Sequence, residues 1–423
     1  MNQRIAAIDI GTTKIVAIVG EKNENGKLEI LGMGRAVSKG VKRGIVLNIE
    51  ETANAILTAV ENAERDYDYE FSEVFVGIAG QHIRSIKNRG YKYIDTEEIT
   101  QEDVDFLYNE MNKISIEPGE EIIHIIPQNY IVDNETGVKQ PVGMASNRLE
   151  GNYHIVIGQI SSAKNITKCV QKVNMSINSL ILEPLASSDA VLTSDEKEAG
   201  VALVDIGGGT TDIAVYFDDI IRHTAVIPFG GNVVTTDIKD GCSILQRQAE
   251  SLKIQYGSAL GEMAAEDKVV TIPGISGREP KEISFKNLAC IIQARMEEII
   301  DAVTFEIENS GFSEKLSAGI VVTGGGSLLK HLPQLIKFKT GLDVRLGFPS
   351  EHLSESVSKE INQPMYSTSI GLILKGYEIL EENGSDRKKM RKTNKLKSGD
   401  KTNIISSIKT QLEKIFEDKD EEM

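Results

Sequence analysis

Val201-Ala-Leu-Val-Asp205-Ile-Gly207-Gly208-Gly209-Thr210-Thr211-Asp212-Ile-Ala-Val-Tyr216 decides the fold of this 423-residue chain. Two apolar, β-branched runs flank glycines and threonines, the pattern of a buried hairpin whose turn carries chemistry. Gly207, Gly208 and Gly209 let main-chain N–H groups approach an anion, and Thr210 and Thr211 add hydroxyl donors. An acidic residue closing the entering strand, Asp205, suits a hydrated Mg2+. Taken alone, such a stretch is more often a glycine-rich turn between two strands without a ligand.

The plan recurs. Ile5-Ala-Ala-Ile-Asp9-Ile-Gly11-Thr12-Thr13-Lys14-Ile-Val-Ala-Ile-Val19 is again strand, aspartate, glycine, two threonines, strand. A repeat so widely spaced predicts two related half-molecules, each offering a turn to one phosphate chain. Ala318-Gly-Ile-Val-Val-Thr323-Gly324-Gly325-Gly326-Ser327 is a third buried strand entering a glycine-rich bend, where a base and ribose can lie against bare backbone.

These motifs resemble the two phosphate motifs and the adenosine motif of the actin, Hsp70 and sugar kinase superfamily. Within it the chain resembles the bacterial cell-division family FtsA along nearly its whole length. That likeness rests on Gly77-Ile-Ala-Gly80-Gln-His82-Ile-Arg-Ser85, Gly143-Met-Ala-Ser-Asn-Arg148-Leu-Glu150, Pro228-Phe-Gly230-Gly231, Ala249-Glu250-Ser-Leu-Lys253, Val344-Arg345-Leu-Gly347-Phe-Pro349 and the C-terminal tail. The resemblance implies an α/β fold of duplicated, actin-like ribonuclease H-like domains around a nucleotide cleft, with an inserted subdomain and a C-terminal amphipathic helix. It implies ATP and Mg2+ as cofactors. Asp9 and Asp205 would hold the metal through water, Gly11 to Lys14 and Gly207 to Thr211 the phosphates, and Gly324 to Ser327 the nucleoside. The nucleotide is expected to act mainly as a structural switch, with weak or no ATPase activity.

Composition sets outer limits. The net charge of −16 disfavours wholesale nucleic-acid binding, and Cys169, Cys242 and Cys290 lack metal-ligand spacing and fit a reducing cytoplasm. No apolar run is long enough to cross a bilayer, no signal segment precedes the first strand, and the six histidines form no metal constellation.

Along the chain, residues 1–83 with 161–198 form the expected first actin-like subdomain and 199–235 with 301–380 the second. Ile49 to Glu64 reads as a helix with Ile49, Ala53, Ile56, Leu57 and Val60 on one face. Residues 84–160 read as an inserted subdomain of short strands, a helix over Glu102 to Lys113, and turns at Pro118-Gly119 and Glu135-Thr-Gly137. Ala145-Ser-Asn147 departs from the family, which usually has a further glycine there. Pro184 ends the strand Ile177 to Leu182 and holds the Glu183 carboxylate near the cleft. By resemblance Glu183 positions the attacking water; the alternative is a helix-start glutamate favoured by the dipole. Gly230 and Gly231 precede a helix start, a natural phosphate neighbour. Glu250 and Lys253 share one face of a helix expected over Cys242 to Tyr256. By resemblance they meet adenine and ribose; otherwise they are a solvated pair worth under about 1 kcal/mol. Residues 236–300 correspond to the subdomain that grips the C-terminal peptide of FtsZ, with Lys281, Lys286 and Arg295 as contacts, against ordinary surface solvation for any one of them.

Residues 381–402, rich in Lys and Arg and nearly free of apolar groups, read as a flexible basic linker. In residues 403–417, Ile404, Ile405, Ile408, Leu412, Ile415 and Phe416 fall within an arc of roughly 120° on a helix, with no polar residue inside it. Such a stripe docks on a core or lies in a membrane interface, and the basic linker favours anionic headgroups. Each buried side chain contributes at most about 1.5–3 kcal/mol, while ordering backbone costs about 1–2 kcal/mol per residue. One such foot therefore binds weakly. Absence of Trp, with Glu413, Glu417 and the acidic run from Asp418, weakens it further relative to the family. Polymerisation into filaments would compensate through avidity. The resemblance thus implies a peripheral protein on the cytoplasmic face of the inner membrane at the division site, self-associating and meeting FtsZ and other divisome proteins. A superfamily small-molecule kinase, an Hsp70-like chaperone and the actin-like scaffold of type IV pilus assembly are the other classes. The kinase would have no use for linker and foot, and the chaperone would carry a long peptide-binding region.

Overall fold

The computed structural model describes residues 3–66, 72–274 and 279–381. The first half opens with β1 (Arg4–Ile10), β2 (Lys14–Lys22) and β3 (Leu28–Val37), consecutive antiparallel neighbours. A two-residue pair, β4 (Val41–Lys42) and β5 (Ile45–Val46), leads to α1 (Ile49–Asp66) and then β6 (Glu73–Ile78), which lies parallel to β1. The inserted subdomain follows: β7 (Arg84–Tyr93), α2 (Gln101–Met111), β8 (Glu120–Val132), β9 (Glu135–Val138) and β10 (Arg148–Gln159), a sheet ordered β7-β10-β8-β9. The chain returns through α3 (Ile160–Gln171) and β11 (Ser176–Leu182), then α4 (Glu183–Val191) and α5 (Ser194–Ala199).

The second half repeats the scheme with β12 (Val201–Ile206), β13 (Thr211–Phe217) and β14 (Ile220–Ile227). It continues with α6 (Gly231–Cys242), α7 (Gln246–Tyr256), the hairpin β15 (Val269–Ile272) and β16 (Lys281–Ser284), and α8 (Phe285–Ser310). It closes with β17 (Ile320–Thr323), α9 (Leu332–Thr340) and β18 (Val344–Leu346). Residues 367–381 are helical. The two main sheets run β11-β6-β1-β2-β3 and β14-β13-β12-β17-β18. Reversing one gives the other strand for strand: a hairpin plus a third antiparallel strand on one side, two parallel crossovers on the other. The repeat read from Asp9 and Asp205 is therefore a duplication of topology.

Each half has its own apolar core, one around Ile15, Ile56 and Val76 and one around Val204, Ile292 and Val322, and the inserted sheet packs on α2 through Leu107, Leu149 and Ile155. Near-continuous apolar runs suit β1, β2, β12 and β13 to burial on both faces, and a 3.6-residue period explains α1, which buries Ala53, Ile56, Ala59, Val60 and Ala63. Leu57, expected on that face, is 42% exposed. Small residues take its place because α1 lies almost on the backbone of β3: a Cβ on Gly34 would stand 2.0 Å from the Ala59 carbonyl oxygen.

Two further expectations change. The helix expected over Cys242 to Tyr256 starts later, as α7 at Gln246, because Cys242 is the last residue of α6 and Ser243, at φ 50°, ends that helix. The Glu135-Thr-Gly137 segment, expected as a turn, forms the edge strand β9 against β8. What places the site is α4, which packs against β6 and β11 of one sheet and β12 and β13 of the other. Its run Pro184-Leu-Ala-Ser-Ser188 is small enough to lie buried between them. The helix starting at Ser367 crosses α4 so closely that a Cβ on Gly371 would fall 1.8 Å from the Ala186 carbonyl oxygen.

Candidate nucleotide and metal site

The two glycine-threonine turns meet face to face. A Cβ on Gly208 would come within 2.2 Å of Thr13 Cγ2, and one on Gly209 within 2.4 Å of Thr12 Oγ1. Only hydrogen fits at these positions, because the opposite half fills the space. Thr12 Oγ1 accepts from Gly44 N–H at 3.2 Å, and the second turn closes through Gly207 N–H to the Thr210 carbonyl at 2.9 Å. The N–H groups of Thr12, Thr13, Gly208 and Gly209 have no acceptor among the described residues. Unpaired donors at two apposed turns are what an anion requires.

Other expected phosphate groups have internal work. The N–H groups of Gly231 and Asn232 donate to the carbonyls of Gly207 and Gly208 at 2.9 and 2.8 Å, so the start of α6 braces the second turn. Gly230 is needed for that closeness, since a Cβ there would lie 2.6 Å from the Gly207 oxygen. Thr211 is fully buried and donates to the Phe229 carbonyl at 2.8 Å, while Thr210 donates to Asp212 Oδ2 at 3.4 Å. Lys14 places its ammonium 5.6 Å from the centre of the Tyr366 ring, within cation–π range.

Four carboxylates gather behind the turns. Asp9 and Asp205 close β1 and β12, Asp212 starts β13 beside Asp205, and Glu183 begins α4. Gly77 on β6 gives Glu183 its space, for a Cβ there would touch its side chain at 3.0 Å. Burial, then Asp9, Asp212 and Asp205, push the Glu183 carboxyl well above the usual carboxylate range, and Lys14 opposes this. Burial and then Asp205 push Asp212 well up likewise. Asp205 is raised by burial but held back by hydrogen bonds from Ser187 and Thr368 and by Lys14. Asp212 Oδ1 is buried without a hydrogen-bond partner among the described residues. A cluster with this much like charge and an orphan oxygen suits a cation. Among the described residues no three acidic, histidine or cysteine side chains converge closely enough to chelate a metal directly. The residues therefore fit a Mg2+ held through its water shell, the geometry that ion favours.

In the third motif, Gly324 has φ 82°, and a Cβ would stand 2.2 Å from Asp205 Oδ1; one on Gly326 would stand 2.4 Å from Ile206 Cγ2. Both glycines thus serve packing onto β12, and Gly325 is the open one, its nearest neighbour the Met365 Cβ at 3.9 Å. Ser327 is buried and donates to its own Gly324 carbonyl at 2.7 Å. Glu250 and Lys253 form an ion pair at 2.7 Å, and Lys253 also donates to the Gly231 carbonyl at 3.0 Å. The pair is tied to α6 rather than merely solvated.

Lys281, Lys286 and Arg295 lie apart from the cleft, on β16 and α8. Lys281 donates to the Ser243 carbonyl at 2.9 Å, Lys286 pairs with Glu266 at 2.5 Å, and Arg295 forks onto Asp237 at 2.5 and 3.1 Å. Ile404, Ile405, Ile408, Leu412, Ile415 and Phe416, with the linker at 382–402, lie outside the described residues. Sequence reading passed over Asp212 as a site residue although it stands in the quoted motif. It also passed over Ser187, Thr368 and Ser369, for which no local signal existed.

Two halves of one topology, joined across buried helices and apposing their glycine-threonine turns, define an actin-like α/β protein. Solved structures agree on the fold: the PilM-PilN type IV pilus biogenesis complex has a TM-score of 0.64 at 14% identity, covering 89% of this chain and 99% of that one. MreB5 of Spiroplasma citri bound to ADP has 0.53 at 15% identity, covering 91% and 98%. The family profile described as "Cell division protein FtsA" matches residues 202–371, and "SHS2 domain inserted in FTSA" matches 80–157. The FtsA of Pseudomonas aeruginosa is 39% identical over 374 residues, 88% of this chain and 89% of the relative. That of Neisseria meningitidis is 40% identical over 387 residues, 90% and 93%. The chain belongs to the FtsA family of cell-division proteins. Among the described residues no helix is long and apolar enough to cross a membrane.

Proposed function

We propose that this chain binds ATP with Mg2+ between its halves, polymerises in that state on the cytoplasmic face of the inner membrane, and anchors the FtsZ ring there. The observation that carries the reading is the apposition of Gly208 and Gly209 with Thr13 and Thr12, each turn offering N–H groups without acceptors among the described residues. Asp9 and Asp205 hold the hydrated Mg2+, residues 324–327 receive the nucleoside at the open face of Gly325, and Glu183 orients water. The cofactor neutralises the carboxylate cluster and joins the two turns, so nucleotide acts chiefly as a clamp on the halves. Residues 236–300 receive the acidic, apolar C-terminal peptide of FtsZ, with Lys281 exposed and Lys286 half-buried beside it. The amphipathic stretch 403–417 binds anionic lipid, weakly per copy and firmly per filament.

Sedimentation with anionic vesicles tests the tail: the intact chain with ATP is expected to pellet and a chain ending at Glu382 to remain in solution. Equal pelleting of the two would overturn the membrane reading. Asp205→Ala is expected to abolish filaments on lipid, and persistence of filaments would remove the nucleotide from the mechanism.

A further inference from the structure

The two aspartates assigned to the metal come from opposite halves, yet adjacent residues of one helix hold both. Ser369 Oγ donates to Asp9 Oδ2 at 2.9 Å, and Thr368 Oγ1 donates to Asp205 Oδ2 at 3.1 Å. Ser187 Oγ, from α4, donates to the same Asp205 oxygen at 2.6 Å and lies 3.0 Å from the Thr368 hydroxyl. Ser187 and Ser369 are fully buried, and Asp9 and Asp205 are 4% and 6% exposed. In both carboxylates the hydroxyl binds Oδ2. The Asp205 Oδ1 lies toward the Cα of Gly324 and the Asp9 Oδ1 toward Gly11, at the motif glycines themselves.

A run of Ser367, Thr368 and Ser369 is poor helix interior, because hydroxyls compete for the backbone, but it suits a helix start. Here the hydroxyls face inward: Ser367 Oγ sits 2.7 Å from Thr323 Oγ1, and the next two reach the aspartates. Neighbouring Cα atoms are about 3.8 Å apart and cannot change that spacing. The two carboxylates are therefore hydrogen-bonded to side chains one peptide unit apart, and the halves cannot part without breaking a buried hydrogen bond to a carboxylate.

We propose that Thr368 and Ser369, assisted by Ser187, are positioning residues that set the spacing of the Asp9 and Asp205 carboxylates for a hydrated Mg2+, and so tie metal binding to closure of the two halves. This rests on the assignment of Asp9 and Asp205 to the metal. Partners that orient metal-facing carboxylates typically change metal affinity about 10–100-fold when removed.

The test uses the full chain, with ATP binding followed by calorimetry in EDTA and across a Mg2+ titration. Thr368→Val with Ser369→Ala is expected to raise the Mg2+ midpoint about tenfold or more and to leave ATP affinity in EDTA within about twofold of wild type. Thr368→Ser and Ser369→Thr, which keep the hydroxyls, are expected to retain the wild-type midpoint. A merely structural role would weaken binding equally with and without Mg2+; that result, or an unchanged midpoint in the folded double variant, overturns the proposal. If the double variant does not fold, Ser187→Ala alone is measured, and a midpoint identical to wild type overturns it. Asp9→Ala and Asp205→Ala run in parallel: a wild-type Mg2+ midpoint in both would show that the metal assignment itself has failed, separately from the hydroxyls.

Discussion

Replacing Gly208 by alanine drives a methyl into the opposite half. Its Cβ would stand 2.2 Å from Thr13 Cγ2, where carbon atoms in contact settle at about 3.5–4.0 Å, so the turns must part by about 1.3–1.8 Å. Gly208 is not in the left-handed region, so the effect is one of space alone. Overpacking of this kind costs about 1–3 kcal/mol. Borne by the closed, nucleotide-holding arrangement, that weakens ATP binding about 5- to 150-fold. The partner atom supplies the control. Thr13→Ser deletes Cγ2 and leaves Oγ1 and Cβ at 3.0 and 3.2 Å, tight but tolerable. The double variant Gly208→Ala with Thr13→Ser is therefore expected to recover most of the lost affinity, a non-additivity that only residues in contact display. Calorimetric titration of ATP at saturating Mg2+ measures all four proteins of the cycle. Wild-type affinity in Gly208→Ala, or additive losses in the double variant, would show that the turns do not clamp one ligand.

Asp212→Asn removes a charge whose burial and whose neighbour Asp205 raise its carboxyl well above the usual range. A carboxyl raised on folding favours the folded state fully below its unfolded value, about pH 4, and loses that contribution as pH climbs through the folded value. The melting temperature of Asp212→Asn minus that of wild type, measured in EDTA, is thus expected to grow from pH 4 toward pH 8; a flat difference would contradict the cluster. Glu183→Gln is expected to keep ATP binding while slowing any measurable hydrolysis at least about 100-fold, and an unchanged rate would return Glu183 to a helix-start role. Gly371→Ala puts a methyl 1.8 Å from the Ala186 carbonyl oxygen, backbone against backbone. A loss of about 3 kcal/mol is expected in urea unfolding, and an unshifted midpoint would mean that the two buried helices do not cross in backbone contact.

The sequence of this chain determined a good deal by itself. Its strands and helices follow from local pattern, near-continuous apolar runs bounded by turn residues in β1, β2, β12 and β13 and a 3.6-residue stripe in α1 and α8, so they are legible in the sequence alone. The duplication was legible because Asp9 with its turn and Asp205 with its turn repeat one another, and the observed strand orders repeat accordingly. Which donors face the cleft was not. Gly231 and Ser327 carry the right residue types, but neighbours elsewhere in the fold take the Gly231 N–H, and the Ser327 hydroxyl turns back on its own bend. Ser187, Thr368 and Ser369 escaped notice because a hydroxyl has no local pattern; Ser369 matters only through Asp9, 360 residues away. Local sequence sets what each segment can be. Which groups meet, and at what distance, is settled when α4 and the helix from Ser367 lie down together between the two sheets.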